Sequence, residues 1–423
     1  MLIELSIKMK NITLLNINNI IYTKLLFYVN PKNNNYNRET ELLKLDGVKI
    51  MPILEQLKEA TQLTNPWINS WKNEGKKVLG YFCSYIPEEI IYAADILPIR
   101  VRARTCTDTP MGDAYLSPTA CSYTRCCLEQ INRKEFGYLD GIVSCNCCDQ
   151  IRRLYDNIRY KAPFSYHYIM GVPGYVSETT LDWFKYELSK FKVSIEKNFN
   201  TSITDEKLGD AIRLFNNSRK LLKEIYELRK HDSPPITGSD VLNIISAGLS
   251  IPKNEFNALL TQQLEEIKNK EGISDYKSRI MIIGSMLDEP EYLQIIEDLG
   301  GLVVTDSVCL GTRYFWDMVD ETSSPLDALG ERYLSKVSCP RMTDGHLKRA
   351  QFMMDMIKEF NVDGVIFQRM KFCAIWWAEI FMLRDKLKEE GIPFLDLERD
   401  YILSGAGAMK TRVQTFIEIL EAR

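Results

Sequence analysis

Apolar residues fall in short runs separated by longer amphipathic stretches, a rhythm that predicts strands alternating with helices. Over residues 53–71 the apolar positions recur at helical spacing. Residues 78–82 form a brief apolar run of strand length, followed by Pro87-Glu88-Glu89. There the proline suits the first turn of a helix, and the two acids suit the positive end of its dipole. Runs at 99–101, 139–143 and 164–170 continue a first strand set. Residues 177–273 differ, with long charged amphipathic patterns such as 205–229 and few strand signals, and read as a helical layer. A second strand set follows at 279–285, 302–306, 364–368 and 393–397.

The fold class expected is α/β, with two parallel-sheet domains, an additional helical region and a helical N-terminal segment. The divisions expected are a low-complexity tail over 1–50, a first α/β domain with a leading helix over 51–175, the helical region over 176–275 and a second α/β domain over 276–423. Asn and Ile crowd residues 11–37, and this stretch reads as a poorly ordered tail or as upstream sequence ahead of a start at Met51. Sheets of this kind place ligands beyond the carboxyl ends of their strands.

Charge and composition narrow the function. The net charge of −4 supplies no basic field, which argues against a nucleic-acid partner. No run reaches the roughly 18 apolar residues a membrane span requires. Eleven cysteines stand beside only three histidines in a long chain with no secretory signal pattern, so a cytoplasmic, thiol-keeping setting is expected. Thiolates suit zinc and iron–sulfur centres.

The cysteines fall where the strands end. Cys83 follows the first strand; Cys145, Cys147 and Cys148 follow the third; Cys309 and Cys373 follow strands of the second set; Cys121 lies at a loop or helix start after Leu116-Ser117-Pro118. Two readings stand side by side. The cysteines are dispersed ligands of a cluster at a domain seam, or small buried hydrophobes, as Cys106, Cys126 and Cys127 read. Cys145-Asn146-Cys147-Cys148 alone does not complete a zinc site. Glu88 and Glu89 read as helix-terminus stabilisers or as an acid and base. Arg152 and Arg153 read as a solvated helix face or as phosphate contacts. Gly405-Ala406-Gly407 reads as a turn or a close backbone approach. Trp376-Trp377 reads as core or as a shield against water.

Several motifs together resemble the 2-hydroxyacyl-CoA dehydratase and benzoyl-CoA reductase subunit family, of the phenyllactyl-CoA dehydratase subunit type, including its double-cubane cluster protein branch. They are Gly80-Tyr81-Phe82-Cys83-Ser84-Tyr85-Ile86-Pro87-Glu88-Glu89, Asp140-Gly141-Ile142-Val143 with Cys148-Asp149, the stretch 306–314, Lys371-Phe372-Cys373 and Gly391-Ile392-Pro393. The resemblance runs from about Lys76 onward and implies two flavodoxin-like domains. It implies a [4Fe-4S] cluster on Cys121, Cys148 and Cys373, with Cys148 preferred over Cys147 because Asp149 follows it. Cys83, Cys309 and Cys339 are three further thiols at motif positions, and six thiolates imply the alternative of a double-cubane [8Fe-9S] cluster. Ala374 departs from the acid that many relatives carry there.

The activity implied is one-electron, ketyl-radical dehydration of a 2-hydroxyacyl-CoA. Its rivals are a homodimeric double-cubane reductase of small molecules and a non-catalytic electron-transfer or cluster protein. The partners implied are a related subunit or a second copy, an acyl-CoA substrate and a separate ATP-dependent iron–sulfur activator. The chain itself lacks a Gly-x-x-x-x-Gly-Lys-Ser/Thr phosphate loop.

Overall fold

The computed structural model describes residues 51–403 and 406–423, together with a two-residue antiparallel ladder of Lys44–Leu45 against Val48–Lys49. The chain divides between Met51 and Pro52, and the fold described below lies in the larger unit, Pro52–Arg423. Apart from that ladder, the expected tail over 1–50 lies outside the described residues, as does Gly405.

The larger unit holds two four-stranded parallel sheets. The first contains β1 (Lys77–Tyr81), β2 (Ile96–Arg100), β3 (Gly141–Cys145) and β4 (Tyr166–Met170), in the order β2-β1-β3-β4. The second contains β5 (Ser278–Gly284), β6 (Gly301–Ser307), β7 (Gly364–Met370) and β8 (Phe394–Arg399), in the order β8-β7-β5-β6. Counted within each half, both orders are 2-1-3-4, so the two halves repeat one doubly wound plan of the flavodoxin-like kind. Every residue of β3, β5 and β6 is buried, which explains why these strands read as unbroken apolar runs and not as alternating ones. Pro98 is tolerated because β2 is an edge strand.

Helices cover the sheets. The leading helical stretch is two helices, α1 (Ile53–Ala60) and α2 (Pro66–Asn73), where the periodicity predicted one. The cause is local: Asn65 caps the second helix by accepting from Ile68 N at 3.0 Å, and Pro66 occupies its first position. In the first half α3 (Glu88–Tyr92), α4 (Ser122–Asn132) and α5 (Asp149–Lys161) follow β1, β2 and β3. The helical layer is α6 (Glu178–Phe199), α7 (Asp205–Leu228), α8 (Gly238–Gly248) and α9 (Lys253–Lys268). The second half adds α10 (Pro290–Glu297), α11 (Pro325–Ser335), α12 (His346–Glu359), α13 (Ala374–Glu389) and α14 (Ala406–Glu421). One apolar core runs through both sheets, joining Val78, Phe82 and Ile142 to Ile280, Val304 and Ile366. The halves are therefore packed on each other, with their strand ends available to a shared site.

Candidate metal centre

Cys121, Cys148 and Cys373 each occupy the residue immediately before a helix: α4, α5 and α13 respectively. None of the three spends its sulfur on capping that helix. All three line one cavity. Three helix N-termini thus bring their partial positive charge to the edge of the same space, a setting that favours anions and thiolates. Cys83, Cys309 and Cys339 line the same cavity, and so does Cys147. All eleven cysteines are free thiols.

Neighbouring residues hold the loops in place. The Cys121 N–H donates to Gln150 Oε1 at 3.2 Å, fastening that loop to α5 beside Cys148. Tyr401 N–H donates to Ser122 Oγ at 2.8 Å, tying the second half to the start of α4. The Cys309 loop is folded back by Asp306, whose carboxylate accepts from Thr312 N at 2.9 Å and from the buried Tyr226 hydroxyl. Lys336 Nζ donates to Ser84 O at 2.6 Å, joining the segment before Cys339 to the loop after Cys83. Arg341 gives its Nε, Nη1 and Nη2 to carbonyls, those of Cys147 at 3.0 Å, Pro173 at 2.6 Å and Val172 at 2.9 Å. The remaining wall is largely apolar or soft, with Met286, Met370, Ile375 and Trp376. The Cys121 thiol lies 3.4 Å from Met370 Sδ.

Burial sets the protonation of most of these thiols. It pushes Cys121 up to about 11, helped by neighbouring Cys148, and lifts Cys373 well above the usual thiol range, helped by Cys121. Cys339 is pushed up to about 11 by burial, against a downward pull from Arg313. Cys83 is instead held well below the usual range by hydrogen bonds from Cys145 and Cys147, and Cys148 is lowered by one from Cys147. Metal entry must displace the protons that burial favours.

Cys83, Cys145 and Cys147 also approach each other, with their sulfurs all within 4.8 Å. The sequence offers Cys147 only as the alternative to Cys148 and gives Cys145 no place in the ligand set. The available signal was their Cys-x-Cys spacing at a strand end, which turns alternate residues to one side. Cys106, Cys126 and Cys127 are buried outside the cavity, as the bystander reading expects. Trp376 is buried in the cavity wall, whereas Trp377 is 55% exposed and shields nothing there. Arg153 is exposed and pairs with Asp149 and Asp156, a solvated helix face. Glu88 and Glu89 are completely buried and do more than face a helix dipole. Glu89 pairs with Arg219, and Glu88 accepts from Tyr314 Oη at 2.6 Å with Lys253 Nζ 3.9 Å away.

The donor set fits a thiolate-held iron–sulfur centre. Its sulfurs are numerous and convergent, histidine is absent from the wall, and cationic groups face the cavity from several sides. Among the described residues, no helix is long and apolar enough to cross a membrane.

Comparison with known proteins identifies relatives of the whole α/β unit. The family model described as "2-hydroxyglutaryl-CoA dehydratase, D-component" matches residues 83–420. The chain is 26% identical over 350 residues to the (R)-phenyllactyl-CoA dehydratase beta subunit of Clostridium sporogenes, covering 82% of this chain and 92% of that one. It is 26% identical over 336 residues to a subunit of the benzoyl-CoA reductase of Thauera aromatica, covering 78% and 87%. It is 24% identical over 386 residues to the (R)-2-hydroxyglutaryl-CoA dehydratase subunit beta of Acidaminococcus fermentans, covering 88% and 100%. With four-fifths of its length matched and a thiol-lined cavity between its two sheets, the chain belongs to the 2-hydroxyglutaryl-CoA dehydratase D-component family of enzyme subunits.

Proposed function

We propose that the chain is the iron–sulfur subunit of a 2-hydroxyacyl-CoA dehydratase-like enzyme, with Cys121, Cys148 and Cys373 holding a [4Fe-4S] cluster. The observation that carries this reading is the convergence of three sequence-remote cysteines at three helix N-termini around one cavity. Such a cluster, when bound, supplies a low-potential electron to a substrate thioester. The chain's own part is to bind and orient. The three thiolates fix the centre, the helix termini offset its negative charge, and Gln150 holds the Cys121 backbone in place. Met370 and Trp376 exclude water from the wall. A related subunit or second copy, a separate ATP-dependent iron–sulfur activator and an acyl-CoA complete the proposed system, in a cytoplasmic setting that keeps thiols reduced.

A second reading is favoured by the position of Cys83, Cys309 and Cys339 on the same cavity. Six thiolates there suit a double-cubane [8Fe-9S] centre and a reductase of small molecules. Anaerobic purification with iron and sulfide quantitation and electron paramagnetic resonance separates the two, at about four irons per chain against about eight. Serine substitution of Cys121, Cys148 and Cys373 together should abolish bound iron in the first reading. Substitution of Cys83, Cys309 and Cys339 together should leave it intact in the first and halve or abolish it in the second. Unchanged iron in both sets ends both readings.

A further inference from the structure

The cavity offers positive charge in two different ways. Beside Cys121, Cys148 and Cys373 partial charge comes from three helix ends, and the Arg399 guanidinium also acts on Cys121. Beside Cys83, Cys309 and Cys339 it is carried by guanidinium groups, since Arg100 acts on Cys83 and Cys309 and Arg313 acts on Cys339. Both arginines line the cavity and are buried, Arg100 with 5% and Arg313 with 3% of its surface exposed.

Their hydrogen bonds are incomplete. Arg313 donates Nη2 to Gly284 O at 2.7 Å and lies over the Trp376 ring at 4.7 Å, but its Nε and Nη1 have no partner among the described residues. Arg100 reaches Met286 Sδ at 4.0 Å, and its Nε has no partner among the described residues either. Arg341 in the same wall is the contrast, because carbonyls take its Nε, Nη1 and Nη2. A buried donor left unpaired is costly, and more so when it is charged. Natural structures keep few such groups without a reason. The residues that carry these unpaired donors are full cations, and both line one cavity, which is the complement of an anionic acceptor.

We propose that Arg100 and Arg313 form an anion subsite that hydrogen-bonds the sulfide edge of the centre on the side of Cys83, Cys309 and Cys339, making that side its electron-accepting pole. The inference rests on the iron–sulfur reading above, whether one cubane or two are held. Hydrogen bonds to cluster sulfurs and nearby positive charge favour the reduced, more negative state. The step involved is the gain of one electron from the proposed activator, with no bond made or broken in the protein.

The test uses the full chain purified anaerobically as wild type, R313Q, R313K and R100Q, with iron and sulfide quantified before an electron paramagnetic resonance redox titration. R313Q and R100Q at wild-type iron content should each lower the reduced-to-oxidised ratio at the wild-type midpoint at least tenfold, about 59 mV for a one-electron couple. R313K should shift it less. An unchanged midpoint at full iron content in R313Q and R100Q overturns the proposal. If R313Q loses iron, retention by R313K supports the charge requirement, and loss from both overturns it. A wild-type chain without iron would instead defeat the iron–sulfur reading. In that case inorganic sulfate is titrated into the metal-free chain. Binding weakened at least tenfold by R313Q keeps the anion subsite, and no binding, or equal binding by both, ends it.

Discussion

Replacing Glu89 by alanine tests whether the short helix after the Cys83 loop is fastened by a buried charge pair. Glu89 is 0% exposed. One carboxylate oxygen meets Arg219 of α7, and the other accepts from Tyr333 Oη of α11 at 2.8 Å. Arg219 is itself buried and, among the described residues, keeps the hydrogen bond to Asn216 Oδ1 at 2.9 Å once Glu89 is gone. Burial alone would raise the Glu89 carboxyl, but Arg219 and Arg332 outweigh it and hold the group below its usual value. Removing one member of a buried pair strands the other charge and costs about 3–5 kcal/mol. The orphaned Tyr333 hydroxyl adds about 1 kcal/mol. E89A should therefore lose roughly 4–6 kcal/mol, a large share of the ~5–15 kcal/mol that folded proteins possess. Urea denaturation of the metal-free chain at pH 7, followed by circular dichroism, should show a lower midpoint with an unchanged slope. E89A/R219M should recover part of the loss, because no charge is then stranded. The folded-state carboxyl is lowered, so its contribution is full at neutral pH and disappears as pH falls through that depressed value. The difference between wild type and E89A should shrink in acid accordingly. A loss under about 1 kcal/mol in E89A, or a double variant as unstable as the sum of the singles, refutes the reasoning.

Two further outcomes follow from other parts of the molecule. Burial, with Asp288 beside it, pushes the Glu289 carboxyl up to about 8, so the folded state holds a proton that the unfolded chain releases near its ordinary value of 4.5. Melting temperature should fall as pH rises from about 4.5 to about 8 and flatten in E289Q; an identical slope in E289Q removes this account. Gly284 sits at φ +137°, where an added Cβ would lie 1.8 Å from Gln368 O, whereas Gly391, at φ +68°, has nothing within 4 Å of that position. G391A should cost about 1–2 kcal/mol from backbone strain alone. G284A should cost more than twice that, and equal urea midpoints for the two variants would show that the steric reading is wrong.

Much of the architecture was legible because strands buried on both faces become unbroken apolar runs. That is why β5 at 278–284 and β6 at 301–307 stand out in the chain on hydrophobicity alone. The rule placing ligands at strand carboxyl ends likewise singled out Cys83, Cys309 and Cys373. The break between α1 and α2 was also written in the chain, as a capping asparagine followed by proline, but periodicity across it concealed the stop. In the sequence Glu88 and Glu89 read as helix-terminus stabilisers or as an acid or base, yet the groups they meet lie at 219, 253, 314 and 333. Nothing in their neighbourhood of sequence announces those distant contacts. Arg100 and Arg313 escaped notice for the same reason. A lone arginine in an apolar stretch has no periodicity, and its chemistry is set by which of its N–H groups remain unused after folding.

Because α4 and α5 come from the first half and α13 from the second, neither half alone owns a complete set of helix-end thiols. On the iron–sulfur reading proposed above, loading with iron is a late event in the life of the chain, conditional on both halves having docked. A bound centre would act as a rivet across the seam, adding its own binding energy to the docked form and none to a chain folded on one side only. Hydrogen exchange at the amides of α4 and α13 should slow together on loading, while the outer face of α6 keeps its metal-free rate.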